Sequence, residues 1–281
     1  MIKKALLIGI NYVGSQYELK GCINDVKNVR SFLTDNCKFS SSNIKLLSEE
    51  EEENEKPTRL NMENGIRWLV SDNMPGDILV LHYSGHGGNV IDRSTDETDG
   101  KDETILPLDF ESTGEITDDW LYENLVSKVP KDVTLWCFLD SCHSGTAVDL
   151  KHNYQSNCKY KKGVIPENLV YKKEEWTDSF MYTFERSRVV SGNVCLLSGC
   201  QDKETSADAY INRTGQGAFT YCLLETLKSN LQETTLRYKN GILKLRGILK
   251  EINCRLDING FTQNTQISLS RKENFDLTLN L

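Results

Sequence analysis

Apolar residues recur along this chain in two rhythms, short unbroken runs and helical spacings, and the two alternate. The stretch from Lys4 to Ile10 is apolar and partly β-branched and stops at Asn11, which predicts a buried strand. Asn24 or Asp25 can cap a following helix, with Val26, Val29 and Leu33 on one face. Ile44 to Leu47 reads as a second strand, and Glu49 to Glu53 as a solvated acidic loop tip. Pro57, at or near the first helical position, opens a helix that carries Met62, Ile66, Leu69 and Val70 on one side. Met74-Pro75-Gly76-Asp77 is a turn. Ile78 to Tyr83 is continuously apolar, the mark of a strand covered on both faces.

From Asn89 to Thr117 the chain turns polar and acidic, with Ile105-Leu106-Pro107-Leu108 as its one apolar piece. Thr117 or Asp118 caps a short helix through Val126, and Val133 to Leu139 is the next buried strand. Lys151 to Arg188 has no clean periodicity and reads as a long surface loop. Asn193 to Leu197 is a strand. Phe219, Cys222, Leu223 and Leu227 mark one helix, and Leu245, Ile248, Leu249, Ile252 and Leu256 another. Thr265 to Leu269 alternates like a late strand. No internal repeat is visible. Alternating strands and helices imply a mostly parallel sheet with helices on both faces. In such sheets, sites lie beyond the carboxyl ends of the strands. The residues after Tyr83 and after Leu139 are therefore where chemistry is expected.

Composition narrows this further. The 281 residues are 38% hydrophobic and 26% charged, which suits one large globular α/β domain. A net charge of −8 argues against nucleic acid as a partner. No run of 18 apolar residues exists to cross a bilayer, and no export signal precedes the first strand. Nine cysteines, an odd number without a CxxC spacing, suit a reducing compartment, so a cytoplasmic location is expected. Most of them are expected to be small buried hydrophobes.

Two strand ends hold Ser84-Gly85-His86-Gly87-Gly88 and Asp140-Ser141-Cys142-His143-Ser144-Gly145. A cysteine nucleophile needs a base to hold it as thiolate, and histidine is the usual one. Cys142 and His86 fill those roles. The glycines let the backbone turn sharply, and the N–H groups of Gly87 and Cys142 are candidates for an oxyanion hole. The bland alternative, two ordinary strand-end residues, is disfavoured by the pairing and the glycines. A zinc site using His82 and His86 is disfavoured too, because a spacing of four shares a face only on a helix. Asp25 at a helix start and Asp140 before the nucleophile can both line a pocket at the strand ends. Paired carboxylates there would bind Arg or Lys. Asp25 could instead serve only as a helix cap.

His82-Tyr83-Ser84-Gly85-His86-Gly87-Gly88 together with Asp140-Ser141-Cys142-His143-Ser144-Gly145 resembles the metacaspases, relatives of the caspases. Ala5 to Tyr12, Leu19 to Asp25, Thr58 to Met62 and Ser198 to Asp208 are similar to further motifs of that family, in the same order. The resemblance implies a three-layer α/β/α sandwich, caspase-like, with a mostly parallel sheet. It implies one structural domain made of a large-subunit-like region (1–150), a basic linker loop (151–192) and a small-subunit-like region (193–281). It implies a monomeric, minimal type I enzyme, without the Pro-rich prodomain because the first strand begins at Ile2. The activity implied is a cysteine endopeptidase acting on proteins or peptides with Arg or Lys at P1. Its S1 pocket would be Cys22, Asp25, Ser84 and Asp140. Activation by Ca2+ is implied through Asp102, Asp118, Asp119 and Asp149. Self-cleavage is expected in the linker, at Lys159, Lys161, Lys162, Lys172, Lys173, Arg186 or Arg188. The rival readings are a regulatory or binding protein with reduced catalysis on the same fold, and an enzyme with acidic P1 preference.

Overall fold

A computed structural model describes residues 1–91, 101–142, 147–148, 150–156, 180–182, 190–199, 208–211, 214–232, 244–271, 279 and 281. The chain opens with β1 (Lys3–Gly9), α1 (Cys22–Asp35), β2 (Ile44–Ser48), α2 (Arg59–Val70) and β3 (Ile78–Ser84). Then come β4 (Gly87–Ile91), β5 (Lys101–Ile105), the single turn α3 (Phe110–Thr113), β6 (Ile116–Thr117) and α4 (Asp118–Asn124). β7 (Thr134–Asp140), β8 (His152–Ser156), β9 (Phe180–Tyr182) and β10 (Asn193–Ser198) follow. The hairpin β11 (Asp208–Ile211) and β12 (Thr214–Gly217) leads into α5 (Ala218–Gln232), α6 (Leu245–Ile258) and β13 (Gln266–Leu269).

The main sheet runs β2-β1-β3-β7-β10-β13-β8-β9. β2, β1, β3, β7 and β10 are parallel, and β13, β8 and β9 then add as antiparallel neighbours. Alternation along each strand splits the core in two, because successive side chains point to opposite faces. Ala5 and Leu7 of β1 and Trp136 and Phe138 of β7 pack with α1, α5 and α6. Leu6 and Ile8, with Leu135, Cys137 and Leu139, pack with α2 and α4. The result is the expected three-layer α/β/α sandwich. Each fully buried Leu or Ile in these layers contributes roughly 1.5–3 kcal/mol.

Local departures from the sequence reading have physical causes. Neither Asn24 nor Asp25 caps α1. The cap position is Gly21, and Asn11 Oδ1 accepts the free amides of Cys22 and Ile23 at 3.0 and 3.4 Å. Asp25 is thereby released for another task. Pro57 stands two residues before the first residue of α2, Arg59, and Thr58 caps the helix, its Oγ1 accepting from Asn61 N–H at 3.3 Å. The acidic stretch after β3 holds a second sheet, β4-β5-β6. Its strands are mostly polar and so carry no hydrophobic period. Two pieces of the expected surface loop, His152–Ser156 and Phe180–Tyr182, pair as β8 and β9 of the main sheet. Buried polar His152 and Asn153 hide the strand pattern there. Among the described residues no helix is long and apolar enough to cross a membrane.

Candidate active site

The sheet register brings the two motifs together. Ser84 at the end of β3 pairs with Gly9 on one side and Asp140 on the other. Gly85 N–H donates to Asp140 O at 3.3 Å, continuing the ladder one step. His86 and Cys142 each stand two residues beyond this shared rung. Both are half-buried. Every other described cysteine (22, 37, 137, 195, 222 and 254) is buried. Burial pushes the Cys37 thiol up to about 11 and Cys222 up to about 12, and raises Cys137 and Cys195 as well. A thiol so raised is not a nucleophile at neutral pH, and Cys22 and Cys254 are shielded by burial, so Cys142 is the accessible candidate among the described cysteines.

His86 is oriented by backbone and by aromatic rings. Its Nε2 lies 2.7 Å from Tyr17 O. A carbonyl can only accept, so Nε2–H is the donor, and in the neutral imidazole the lone pair sits on Nδ1. The Tyr12 ring packs on the imidazole at 4.9 Å between centroids, and Tyr12 Oη accepts His86 N–H at 3.2 Å. Tyr83 Oη–H donates to His86 O at 2.6 Å. Burial raises the pKa of both phenols, so they remain neutral donors and acceptors. Gly87 lies hard against Cys142. A Cβ there would fall 1.9 Å from Cys142 O, so only glycine fits. His82, the other half of the zinc alternative, is fully buried and its Nε2 meets Thr220 Oγ1 at 3.1 Å. It does not join His86.

The carboxylates expected to receive a cationic side chain meet between three elements. Asp25 in the first turn of α1 is 0% exposed, and Asp140 at the end of β7 is 5% exposed. Ser84 Oγ–H donates to Asp25 Oδ2 at 2.7 Å. Gly217 N–H reaches both Asp25 oxygens at 3.0 Å, and Thr220 N–H reaches Asp140 Oδ2 at 2.8 Å. Both carboxylates close on Gly217: a Cβ at that position would lie 2.1 Å from Asp140 Oδ2 and 2.7 Å from Asp25 Oδ2. Asn24 Nδ2–H donates to Gly215 O at 2.9 Å, which docks β12 on α1. Cys22 is buried at the start of α1, near the phenols of Tyr12 and Tyr83. Ser84, Asp25 and Asp140 thus meet, and Gly217 and Thr220 join them unforeseen. The run Thr214-Gly215-Gln216-Gly217 was the available signal, since small residues permit close approach.

The acidic residues after β3 are placed in part. Thr117 Oγ1 caps α4 by accepting Trp120 N–H at 3.2 Å, so Asp118 is the first helical residue. Asp118 is 1% exposed. Its oxygens accept Glu103 N–H at 3.2 Å and Asp119 N–H at 2.8 Å. Burial first, and the Glu103 carboxylate second, push the Asp118 carboxyl up to about 8. Asp102 precedes Glu103 on β5 and is buried too. Glu103 was not singled out from the sequence, because nothing distinguishes it among its acidic neighbours. Among the described residues no three His, Cys, Asp or Glu side chains gather as a metal-binding group. The buried Asp118–Glu103 pair nonetheless has the hard oxygen donors that calcium takes. Asp149 lies outside the described residues, as do Lys159, Lys161, Lys162, Lys172, Lys173, Arg186 and Arg188.

The fold thus presents a half-buried histidine and a half-buried cysteine beyond two adjacent parallel strands. Residues 3–151 match the metacaspase, peptidase C14 domain family. Metacaspase-1 of Meyerozyma guilliermondii is 34% identical over 308 residues, covering 98% of this chain and 71% of that protein. Metacaspase-1 of Candida albicans is 39% identical over 272 residues, covering 83% of this chain and 60% of the relative. A similar solved structure, protein GSU0716 of Geobacter sulfurreducens, has a TM-score of 0.65 at 26% identity and covers 99% of this chain and 97% of its own. The chain belongs to the metacaspase family of cysteine proteases.

Proposed function

We propose that this protein is a calcium-activated cysteine endopeptidase that cleaves after Arg or Lys and cuts its own chain between residues 151 and 190. The observation that carries the reading is the closing of the Asp25 and Asp140 carboxylates on Gly217, beside the strand ends that present His86 and Cys142. Such a pair offers charge-assisted hydrogen bonds to a guanidinium or ammonium group. An acidic P1 side chain would meet like charge.

Cys142 is the nucleophile in this reading. His86, with Nε2–H held on Tyr17 O, takes the thiol proton on Nδ1. The thiolate adds to the scissile carbonyl carbon, and negative charge moves to the carbonyl oxygen. The backbone N–H groups of Gly87 and Cys142 receive that charge. Nδ1–H then protonates the leaving amine as the C–N bond breaks. Water gives a proton back to Nδ1 and hydrolyses the thioester, releasing the acid and restoring the thiol. Asp102, Asp118, Asp119 and Asp149 would hold calcium, with Glu103 alongside Asp118. The bound ion would supply the positive charge that relieves repulsion between these carboxylates.

The test is a P1 scan with fluorogenic peptides, with calcium and with excess EGTA. Arg and Lys peptides should be cleaved in calcium alone. Equal rates on Arg and Asp peptides would overturn the specificity, and full activity in EGTA would overturn the calcium requirement.

A further inference from the structure

The turn that carries the Tyr17 carbonyl is fastened by a side chain from a different strand end. Glu49 follows the last residue of β2. Its Oε2 accepts Asn11 N–H at 2.5 Å and Tyr12 N–H at 3.0 Å, and its Oε1 accepts Val13 N–H at 2.7 Å. Three successive amides converging on one carboxylate form an anion nest. Bonds to an ionised acceptor are roughly twice as strong as neutral ones. The turn needs such a fastener, because Tyr12 has φ 51°, in the left-handed region that a residue with a Cβ disfavours. The side chains of Glu50 and Glu53, beside it, pair at the surface with Lys27 and Lys56. The acidic run is therefore not uniformly a solvated tip.

Three contacts to the His86 side chain come from this turn: the Tyr12 ring at 4.9 Å, the Tyr17 ring edge-on at 6.3 Å and the Tyr17 carbonyl at 2.7 Å. The Tyr12 side chain is anchored on the core, its hydroxyl donating to Leu106 O at 2.6 Å. The backbone of the turn is held by Ser15 N–H to Tyr12 O, Tyr17 N–H to Ser15 Oγ and Gly14 N–H to Glu18 Oε2, at 3.1, 3.0 and 3.0 Å, with Glu49 fastening the three amides that open it. We infer that Glu49 is a positioning residue for the peptidase reaction: it fixes the Tyr12–Tyr17 turn, and the turn fixes the tautomer and orientation of His86. This rests on the reading of His86 as general base. Glu49 touches neither substrate nor the reacting atoms. Without its carboxylate the turn relaxes, Nε2–H loses its acceptor, and the proton redistributes to Nδ1, the nitrogen that must be bare. Asp25 and Asp140 keep their own bonds to Ser84, Gly217 and Thr220, so turnover suffers and substrate binding does not.

The experiment compares full-length wild type with Glu49→Gln, and with Glu50→Gln as the neighbouring control, on a P1-Arg peptide. Glu49→Gln should lower kcat by about ten- to a hundredfold, the loss expected when a catalytic group is misplaced by up to an ångström, with KM held within about twofold. The control should match wild type. Imidazole 15N shifts, with the His86 signal assigned by its absence in His86→Gln, should report the Nε2–H tautomer in wild type and a mixture in Glu49→Gln. If the Gln variant does not fold, Glu49→Asp, which keeps the charge on a shorter arm, is read in the same way. Wild-type kcat in the variant, or a lowered kcat with an unchanged tautomer, would overturn the inference. Undiminished activity of His86→Gln would instead remove the general-base reading and leave the tautomer result to judge Glu49 by itself.

Discussion

Ser84 and Asp140 stand side by side at the ends of β3 and β7, and that one rung organises the whole site. The Ser84 hydroxyl bonds the Asp25 carboxylate, and the Asp140 carboxylate lies with Asp25 against Gly217. Two residues outward, His86 and Cys142 stand at the sheet's carboxyl edge, where parallel α/β proteins place their chemistry. In the proposed reading, the carboxylate that receives a cationic P1 side chain and the nucleophile and base are presented by the same pair of strands, with Asp25 added from α1.

Cys142→Ala and His86→Ala should each remove peptide hydrolysis, by several orders of magnitude, and the double variant should be no worse than either alone. Nucleophile and base act as a unit, so their losses do not add. Rates on a P1-Arg peptide, with melting curves to confirm the fold, check this; wild-type turnover by Cys142→Ala would refute the assignment.

Asp25→Asn should reduce kcat/KM on P1-Arg peptides by about 30-fold to over a thousandfold, since truncating one partner of a buried charge pair costs roughly 2–5 kcal/mol. Gly217→Ala should do similar damage without removing any charge, because its methyl group would fall 2.1 Å from Asp140 Oδ2. Steady-state kinetics on Arg and neutral P1 peptides separate the two cases. Asp25→Asn should lose the preference for Arg, whereas Gly217→Ala should lose activity on both.

Much of this arrangement was legible in the chain. The buried strands announced themselves as unbroken apolar runs, and their ends located Ser84, His86, Asp140 and Cys142. What escaped notice is what has no side-chain signature. The acceptor for His86 is a backbone carbonyl, and any residue at position 17 offers one. Asp25 looked equally suited to capping, and only the fold shows Asn11 doing that work from a distant loop. β4 and β5 lie in polar sequence where no period of two in hydrophobicity can appear. Glu49 and Glu103 sat among other acids, and the amides or carboxylate they meet are distant in sequence. The 200–207 part of the small-subunit-like motif falls outside the described residues.

His82 should make stability depend on pH. Burial pushes its pKa from 6.5 down to about 3. The folded state therefore holds the imidazole neutral, while the unfolded chain binds a proton below 6.5. Between about pH 3 and 6.5 the unfolded state carries more protons, so stability rises with pH; the contribution is complete above 6.5 and lost as pH falls toward 3. The slope from one such group is at most about 1.4 kcal/mol per pH unit, or about 3–5 °C in Tm for a chain of this size. His82→Gln should flatten the melting temperature between pH 6.5 and 4.5. An equally steep curve in the variant would show that other groups govern acid unfolding.

Calcium should raise both activity and Tm, and Asp118→Asn should weaken both effects. The Asp118–Glu103 pair is buried, so a divalent ion gains more there than at a solvated carboxylate. Magnesium should substitute poorly, because it demands near-ideal octahedral geometry and gives up its waters reluctantly. Titrations of the two ions followed by Tm, with and without the Asn substitution, check this; equal shifts in wild type and variant would place the ion elsewhere.

Self-cleavage in the linker should sever the chain without separating the pieces. The sheet order explains why. β10 and β13, which follow the linker, lie between β7, which precedes it, and β8, which its first residues form. Any cut between residues 157 and 190 leaves β10 bonded to β7 along six residue pairs and β13 bonded to β8 along four. Asp25 and Asp140 come from one side of the cut and Gly217 and Thr220 from the other, so the pocket too spans both fragments. Two positions are distinguishable by mass. A cut at Lys159, Lys161, Lys162, Lys172 or Lys173 leaves β9 on the second fragment, and a cut at Arg186 or Arg188 leaves it on the first. Added calcium should therefore give two bands on a denaturing gel and one unchanged peak in gel filtration, with activity retained. Cys142→Ala should stay whole under the same conditions. Fragments that part in native buffer would contradict the interleaved sheet, and cleavage in the Cys142→Ala protein would mean that another protease made the cut.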